Sequence, residues 1–195
     1  MGPRERQLVG LLFTGVVLLV TAVGFGVGYV IGFARTSGAA AVVPARPVPA
    51  DVCGLLSDET RTHLVPSGAR VRLPPPRSDT AHAVARCRLR TVDRNAQTYN
   101  RATLTVTAER FGARADATGA RAARAAMSLH GYPVHLGDAS ACTVETTIPH
   151  QWNANLQVQY GDTLVTVNYS TWLATKDDTK AAAMAVARET LAGLK

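Results

Sequence analysis

Hydrophobic and polar positions divide this chain into stretches with different periods. From Leu8 to Phe33 no charged residue interrupts 26 positions. At about 1.5 Å per residue a helix of that length reaches roughly 39 Å, enough to cross a hydrocarbon core of about 30 Å with some tilt. The next stretch, TSGAAAVVPARPVPA at 36–50, has no periodicity. Its Pro44, Pro47 and Pro49 bar helix and sheet and predict an extended spacer. Beyond Asp51 the pattern is that of a folded domain. Ser57 is placed to cap a short helix with Asp58 and Glu59 in its first turn, where acids complement the helix dipole. Residues 66–82, with Pro74-Pro75-Pro76, predict a loop.

Alternation then takes over. Ala85, Cys87 and Leu89 alternate with Arg86, Arg88 and Arg90, and Ala102, Leu104, Val106 and Ala108 alternate with Thr103, Thr105 and Thr107, so both segments predict half-buried strands. A helix is expected over 113–129, with Phe111, Ala115, Ala122, Ala126 and Leu129 on one side and Arg110, Arg114, Arg121 and Arg124 gathered opposite them. Strands near 133–136 and 142–148 follow. In NLQVQYGDTLVTVNYS, Gly161-Asp162 suits a two-residue hairpin turn that pairs Tyr160 with Thr163, Val158 with Val165 and Leu156 with Val167. The apolar residues then share one face, while Asn155, Gln157, Gln159, Thr166, Asn168 and Ser170 share the other, with Trp172 beside them and Trp152 pointing inward. A last helix over 177–194 buries Ala183, Met184, Ala187, Leu191 and Leu194. The order β-β-α-β-β-β-α after a short first helix predicts an α+β domain, an antiparallel sheet with helices packed on one face, preceded by a single N-terminal transmembrane helix.

The apolar run exceeds the roughly 7–15 residues of a cleavable signal peptide, so it reads as an uncleaved signal anchor. Cleavage near Ala39-Ala40-Ala41 is the rival. Four regions follow: a short cytoplasmic tail at 1–7, the anchor at 8–33, a Pro/Ala-rich linker at 34–50 and an extracytoplasmic domain at 51–195. Arg4 and Arg6 precede the run and Arg35 and Arg46 follow it, so charge alone sets little orientation. The cysteines set it instead. Cys53, Cys87 and Cys142 all follow the run, where an oxidising compartment lets two of them pair, placing the domain outside the plasma membrane. Gly24, Gly28 and Gly32 recur at every fourth position and would form one groove for close helix packing, against a second copy or another membrane protein.

The net charge of +7 is uneven. Residues 61–124 carry 13 arginines against four acids, for +9, whereas 125–195 carry four cations against six acids, for −2. The arginine side of the middle helix is therefore a candidate for anionic lipid or wall polymer. Nucleic acid is not expected, because no aromatics interleave with those arginines and the domain lies outside the cell. The second candidate is the amide-rich hairpin face, where Gln157, Asn168 and Trp172 combine donors and acceptors with a flat apolar platform suited to a sugar ring. No catalytic motif is present: His63, His82, His130, His135 and His150 are scattered, and there is no H-E-x-x-H, C-x-x-C or G-x-S-x-G. Neither a metal nor another cofactor is expected.

CGLL at 53–56, RCRL at 86–89, GYPVHLGDASACTV at 131–144 and AAAMAVARETLAGL at 181–194 together resemble a family of actinobacterial envelope lipoproteins of unknown function. The likeness covers roughly residues 51–195. This chain has an apolar helix in place of the family's lipobox, and it lacks the fourth cysteine often found at the start of the last helix. The resemblance implies that Cys53 pairs with Cys87, leaving Cys142 as a free thiol or an intermolecular one. It implies a location and a fold but no activity. The expectation is a non-enzymatic binding or assembly module in the envelope, with a wall-glycan-sensing or wall-glycan-modifying domain as the alternative.

Overall fold

Five stretches that alternate along ten residues become five long strands. The computed structural model describes residues 42–92, 101–114, 117–172 and 174–195. The apolar segment at 8–33, with Gly24, Gly28 and Gly32, lies outside them, and no helix among the described residues is long and apolar enough to cross a membrane. In order come a 3-10 turn Val52–Leu55, α1 Asp58–Leu64, β1 Gly68–Arg70, β2 Arg77–Ser78, β3 His82–Thr91, β4 Ala102–Phe111, α2 Gly119–Ala126, β5 Ala139–Ile148, β6 Gln151–Tyr160, β7 Thr163–Trp172 and α3 Lys176–Gly193. The strands form one antiparallel sheet in the order β1-β3-β4-β7-β6-β5, with β2 also paired to β3. The domain is α+β.

One face of the sheet is the core. Ala85, Cys87 and Leu89 from β3, Leu104 and Val106 from β4, Val165, Val167 and Tyr169 from β7, Leu156 and Val158 from β6 and Cys142 from β5 meet Val186, Ala187 and Leu191 of α3, together with Val52 and Leu56 near the 3-10 turn. The hairpin register is Tyr160–Thr163, Val158–Val165 and Leu156–Val167, as the alternation predicts. Gly161 sits at φ +55°, the left-handed conformation that favours glycine in such a turn. Leu164 departs from the clean division: it lies on the otherwise polar face and is buried.

Capping fixes the helices. Ser57 accepts from the Thr60 amide at the start of α1, and a capping box between Thr175 and Asp178 opens α3. Glu189 of α3 accepts from the Ser57 amide at 2.9 Å and the Thr60 hydroxyl at 2.6 Å, and the Tyr169 hydroxyl donates to the Leu64 carbonyl at 3.0 Å, so α1 is tied to both α3 and the sheet.

The expectation of helices on one face needs correction. The 3-10 turn, α1 and α3 cover the core face, but α2 covers the other. Opposed residues of adjacent strands share a face, and on the outer face Thr107, Ala141, Gln159 and Leu164 are buried where α2 meets β4, β6 and β7. The helix is also shorter than the expected 113–129. Glu109, Arg110 and Phe111 continue β4, and Thr118 accepts from the Arg121 amide to start α2 only at Gly119. At 133–136 there is no strand; instead Tyr132 makes an isolated bridge to Cys142. Part of the expected loop at 66–82 forms β1 and β2 on the edge of β3.

Residues 42–50, expected as part of a spacer, are docked on the domain. Val43 and Ala113 exchange two backbone hydrogen bonds at 3.0 and 2.9 Å, the Ala45 amide donates to the Thr80 carbonyl, and Val48 packs against the core. Arg46 pairs with Asp162 at 2.8 Å. Beneath this strap lies Arg110, which was expected on an exposed helix face. It projects instead from β4 to the core side and is 8% exposed. Its guanidinium donates to the Leu194 carbonyl at the end of α3 and, at 2.6 Å, to the Pro47 carbonyl. A cation at a helix C-terminus meets the negative end of the dipole, and burial, reinforced by Arg46, pushes its pKa down from the usual guanidinium value.

Cys53 and Cys87 form a disulfide with a Cα–Cα distance of 5.6 Å, and Cys142 is a buried free thiol. The bridge ties the 3-10 turn to the middle of β3, closing a loop that contains only short elements.

Three outcomes are expected. Arg110→Gln should cost about 2–3 kcal/mol, since it removes charge-assisted hydrogen bonds from a buried site, and should lower Tm by roughly 5–10 °C. Arg114→Gln and Arg124→Gln, at exposed positions, should stay within about 0.5 kcal/mol of the parent in the same calorimetric scan. The double replacement Cys53→Ser/Cys87→Ser should lose roughly 3–4 kcal/mol of stability in denaturant titration, as expected for releasing a loop of this length.

Candidate functional site

The part of the outer face that no described element covers is built from three rows of side chains that run across the sheet. The first is Arg88, Thr105, Asn168, Asn155 and Thr143, each opposite the next on the neighbouring strand. The second is Ala69, Arg90, Thr103, Ser170, Asn153 and Glu145. The third, at the strand ends, brings Arg101 beside Trp172, whose amide donates to the Arg101 carbonyl at 3.3 Å, and Trp172 beside Gln151. Every side chain named in the first row and nearly every one in the second is polar.

Side-chain length shapes this surface. Ala69, Thr103 and Ser170 are short, while Arg90, Arg101, Gln151 and Trp172 around them are long. The result is a groove of about 560 Å³ lined by these residues with Val71 and Val92. That volume lies within the roughly 300–1,000 Å³ typical of small-ligand sites. The Gln151 amide donates to the Ser170 hydroxyl at 2.7 Å, which fixes both groups along the floor. Arg70, at one end, pairs with Asp51 at 2.9 Å. Among the described residues no carboxylate pairs with Arg90 or Arg101. In the next row Arg88 donates to the Thr105 hydroxyl at 3.1 Å.

The expected site residues fall into separate places. Arg110 is buried under the strap, Arg114 lies just after β4, and Arg121 and Arg124 lie on α2, so the four do not form one basic face. Gln157 is on the amide face, but its side-chain oxygen accepts from the Ser128 and Leu129 amides at 3.0 and 2.9 Å and holds the chain leaving α2 against the sheet. Asn168 is exposed in the first open row, and Trp172 lines the groove. Trp152 shares the core side of the sheet with Ala154 and Leu156, as expected, and is half-buried there. Arg90 and Arg101 are the residues that sequence reasoning missed. The alternation of Arg86, Arg88 and Arg90 was a strand signal, yet it also carried the basic groups to the sheet face that holds Asn168.

Burial pushes the Cys142 thiol up from its ordinary value despite the neighbouring Tyr132 hydroxyl and Lys180, and its Sγ faces the Thr143 carbonyl. Burial also pushes the Tyr132 hydroxyl up to about 12. Both groups stay protonated at neutral pH, which leaves Cys142 a poor nucleophile. A second concavity, of about 690 Å³, lies between α1 and α3 and is lined by Glu59, His63, Tyr169, Asp178 and several alanines. Much of its hydrogen-bonding capacity is already spent, since Tyr169 donates to Leu64 and Thr60 to Glu189. Among the described residues no group of three metal-ligating side chains comes together.

Comparison with protein-family models, with curated proteins and with solved structures finds no match to this chain.

Proposed function

We propose that this protein is a single-pass envelope protein whose domain is a non-enzymatic binding module, with the open rows of the outer sheet face as its contact surface. The observation that carries this reading is the layout of that face. No described element covers these polar side chains from five strands, the other side of the sheet carries the core, and the arginines of β3 border them along one edge. Anchoring is the second element of the reading: residues 8–33 cross the membrane, residues 1–7 stay in the cytoplasm, and the strap at 42–50 connects anchor to domain. A disulfide in the domain suits an oxidising, extracytoplasmic compartment. The resemblance to actinobacterial envelope lipoproteins agrees with that location.

The lining of the groove supports holding a ligand over cleaving a wall glycan. It supplies guanidinium, amide, hydroxyl and indole groups, whereas glycoside cleavage ordinarily relies on a pair of carboxyl groups. A glycan-sensing role remains compatible with the same surface, through Trp172 and Asn168.

The test uses the full chain in nanodiscs of zwitterionic lipid, sedimented with purified actinobacterial cell wall. Binding should weaken by about tenfold or more in Arg88→Glu/Asn168→Ala, which alters the first open row outside the groove, and should fall as salt rises. Sedimentation unaffected by both the substitution and the salt would remove this face from the function. In the membrane, Gly28→Ile should reduce self-association in a two-hybrid assay while insertion continues, if Gly24, Gly28 and Gly32 pack against a second copy.

A further inference from the structure

We infer that the groove at the strand ends is a subsite for an acidic sugar, a saccharide unit carrying a carboxylate or phosphate. This rests on the binding-module reading and adds the chemistry of the ligand. Three features converge within one concavity. Arg90 on β3 and Arg101 just before β4 both line the groove and present guanidinium groups that no carboxylate pairs with among the described residues. The planar guanidinium matches a carboxylate or phosphate oxygen pair and binds it through two parallel hydrogen bonds. Trp172 supplies an indole beside Arg101, and the apolar face of a sugar ring packs on an aromatic surface of that kind. Thr103, Ser170 and Gln151 line the floor with hydroxyl and amide groups, which match sugar hydroxyls as both donors and acceptors.

Each feature narrows the choice of ligand. Arginines alone would accept any anion, and a bare inorganic ion leaves the indole and the floor unused. Indole with amides would accept a neutral sugar and leave two cations uncompensated. The larger aliphatic side chains of the lining, Val71 and Val92, are 37% and 54% exposed, so they form no closed apolar anchor pocket of the kind protein contacts centre on. An acidic saccharide uses all of the groups at once. The groove also opens onto the rows holding Asn168 and Asn155, so a polymer chain can continue along the face beyond the acidic unit.

The experiment titrates the full chain in zwitterionic nanodiscs with trigalacturonate, following heat and tryptophan fluorescence, with an uncharged galactose trisaccharide and inorganic phosphate run in parallel. Trigalacturonate should bind at least about tenfold more tightly than either control. Trp172→Ala and Arg101→Gln should each weaken it by about tenfold or more, and Arg90→Gln should act in the same direction. These are groove-surface positions, so the melting temperature of each variant should stay near that of the parent; a variant that melts early is replaced by Trp172→Phe or Arg101→Lys. A sugar phosphate competing as well as trigalacturonate would identify the acidic group as interchangeable and support the proposal. Equal binding of the acidic and uncharged trisaccharides, equal competition by inorganic phosphate, or an unchanged affinity in Trp172→Ala would overturn it. If trigalacturonate fails to bind while cell-wall sedimentation still responds to Arg88→Glu/Asn168→Ala, the groove assignment fails and the binding-module reading stands. If both fail, the reading of the outer face fails with them.

Discussion

Strand register decides what this domain can be. Side chains alternate faces with a period of two, so a one-residue slip of β7 against its neighbours would carry Asn168 and Thr166 into the core and bring Val165 and Val167 out. Burying a valine or leucine contributes about 1.5–3 kcal/mol, and an amide without a partner in the interior costs a similar amount, so the slipped arrangement loses on both counts. Because β7 lies between β4 and β6, the same register fixes the rows that cross the sheet. The polar outer face is therefore a consequence of the packed inner face, and the groove is a consequence of which rows come last.

Helix length decides how much of that face stays open. At about 1.5 Å per residue the 18 residues of α3 extend roughly 27 Å, whereas the eight of α2 extend roughly 12 Å. A ten-residue strand measures about 33 Å. The longer helix, with α1 and the 3-10 turn, can roof the core side of the strands, but the shorter one cannot roof the other side. It covers the end near Gly161, where Leu164 supplies an apolar contact and Gln157 secures the departing chain, and it does not reach the far rows.

The features that were legible in the sequence are those written within a short span. The β6–β7 hairpin needs only its turn and the alternation on either side, and the cap at Ser57 lies beside the helix it starts. Arg110 was illegible because its inward position depends on the Leu194 carbonyl and the Pro47 carbonyl, both distant in sequence. With those acceptors out of view, an arginine near a run of alanines reads as the polar side of a helix. The row joining Arg90, Thr103 and Ser170 was illegible for the same reason: β4 and β7 pair only after α2, β5 and β6 have intervened, so neither strand alone shows what it will stand beside. The groove residues were each visible, but not their company.

Two kinds of arginine result from this arrangement, and they do different physical work. Arg110 is desolvated and spends its hydrogen bonds on backbone carbonyls, so its charge is committed to holding the end of α3 and the strap together. Arg90 is held on β3 and Arg101 at the start of β4, where its carbonyl accepts from the Trp172 amide, yet no carboxylate neutralises them among the described residues. A cation left in water on a rigid strand costs the fold little, because it keeps its hydration. It also loses little conformational freedom when an anion arrives, because the strand beneath it is already fixed. The basic charge that matters for a ligand is thus carried by the sheet, and the basic charge nearest the helices is carried partly by a residue that stabilises the fold.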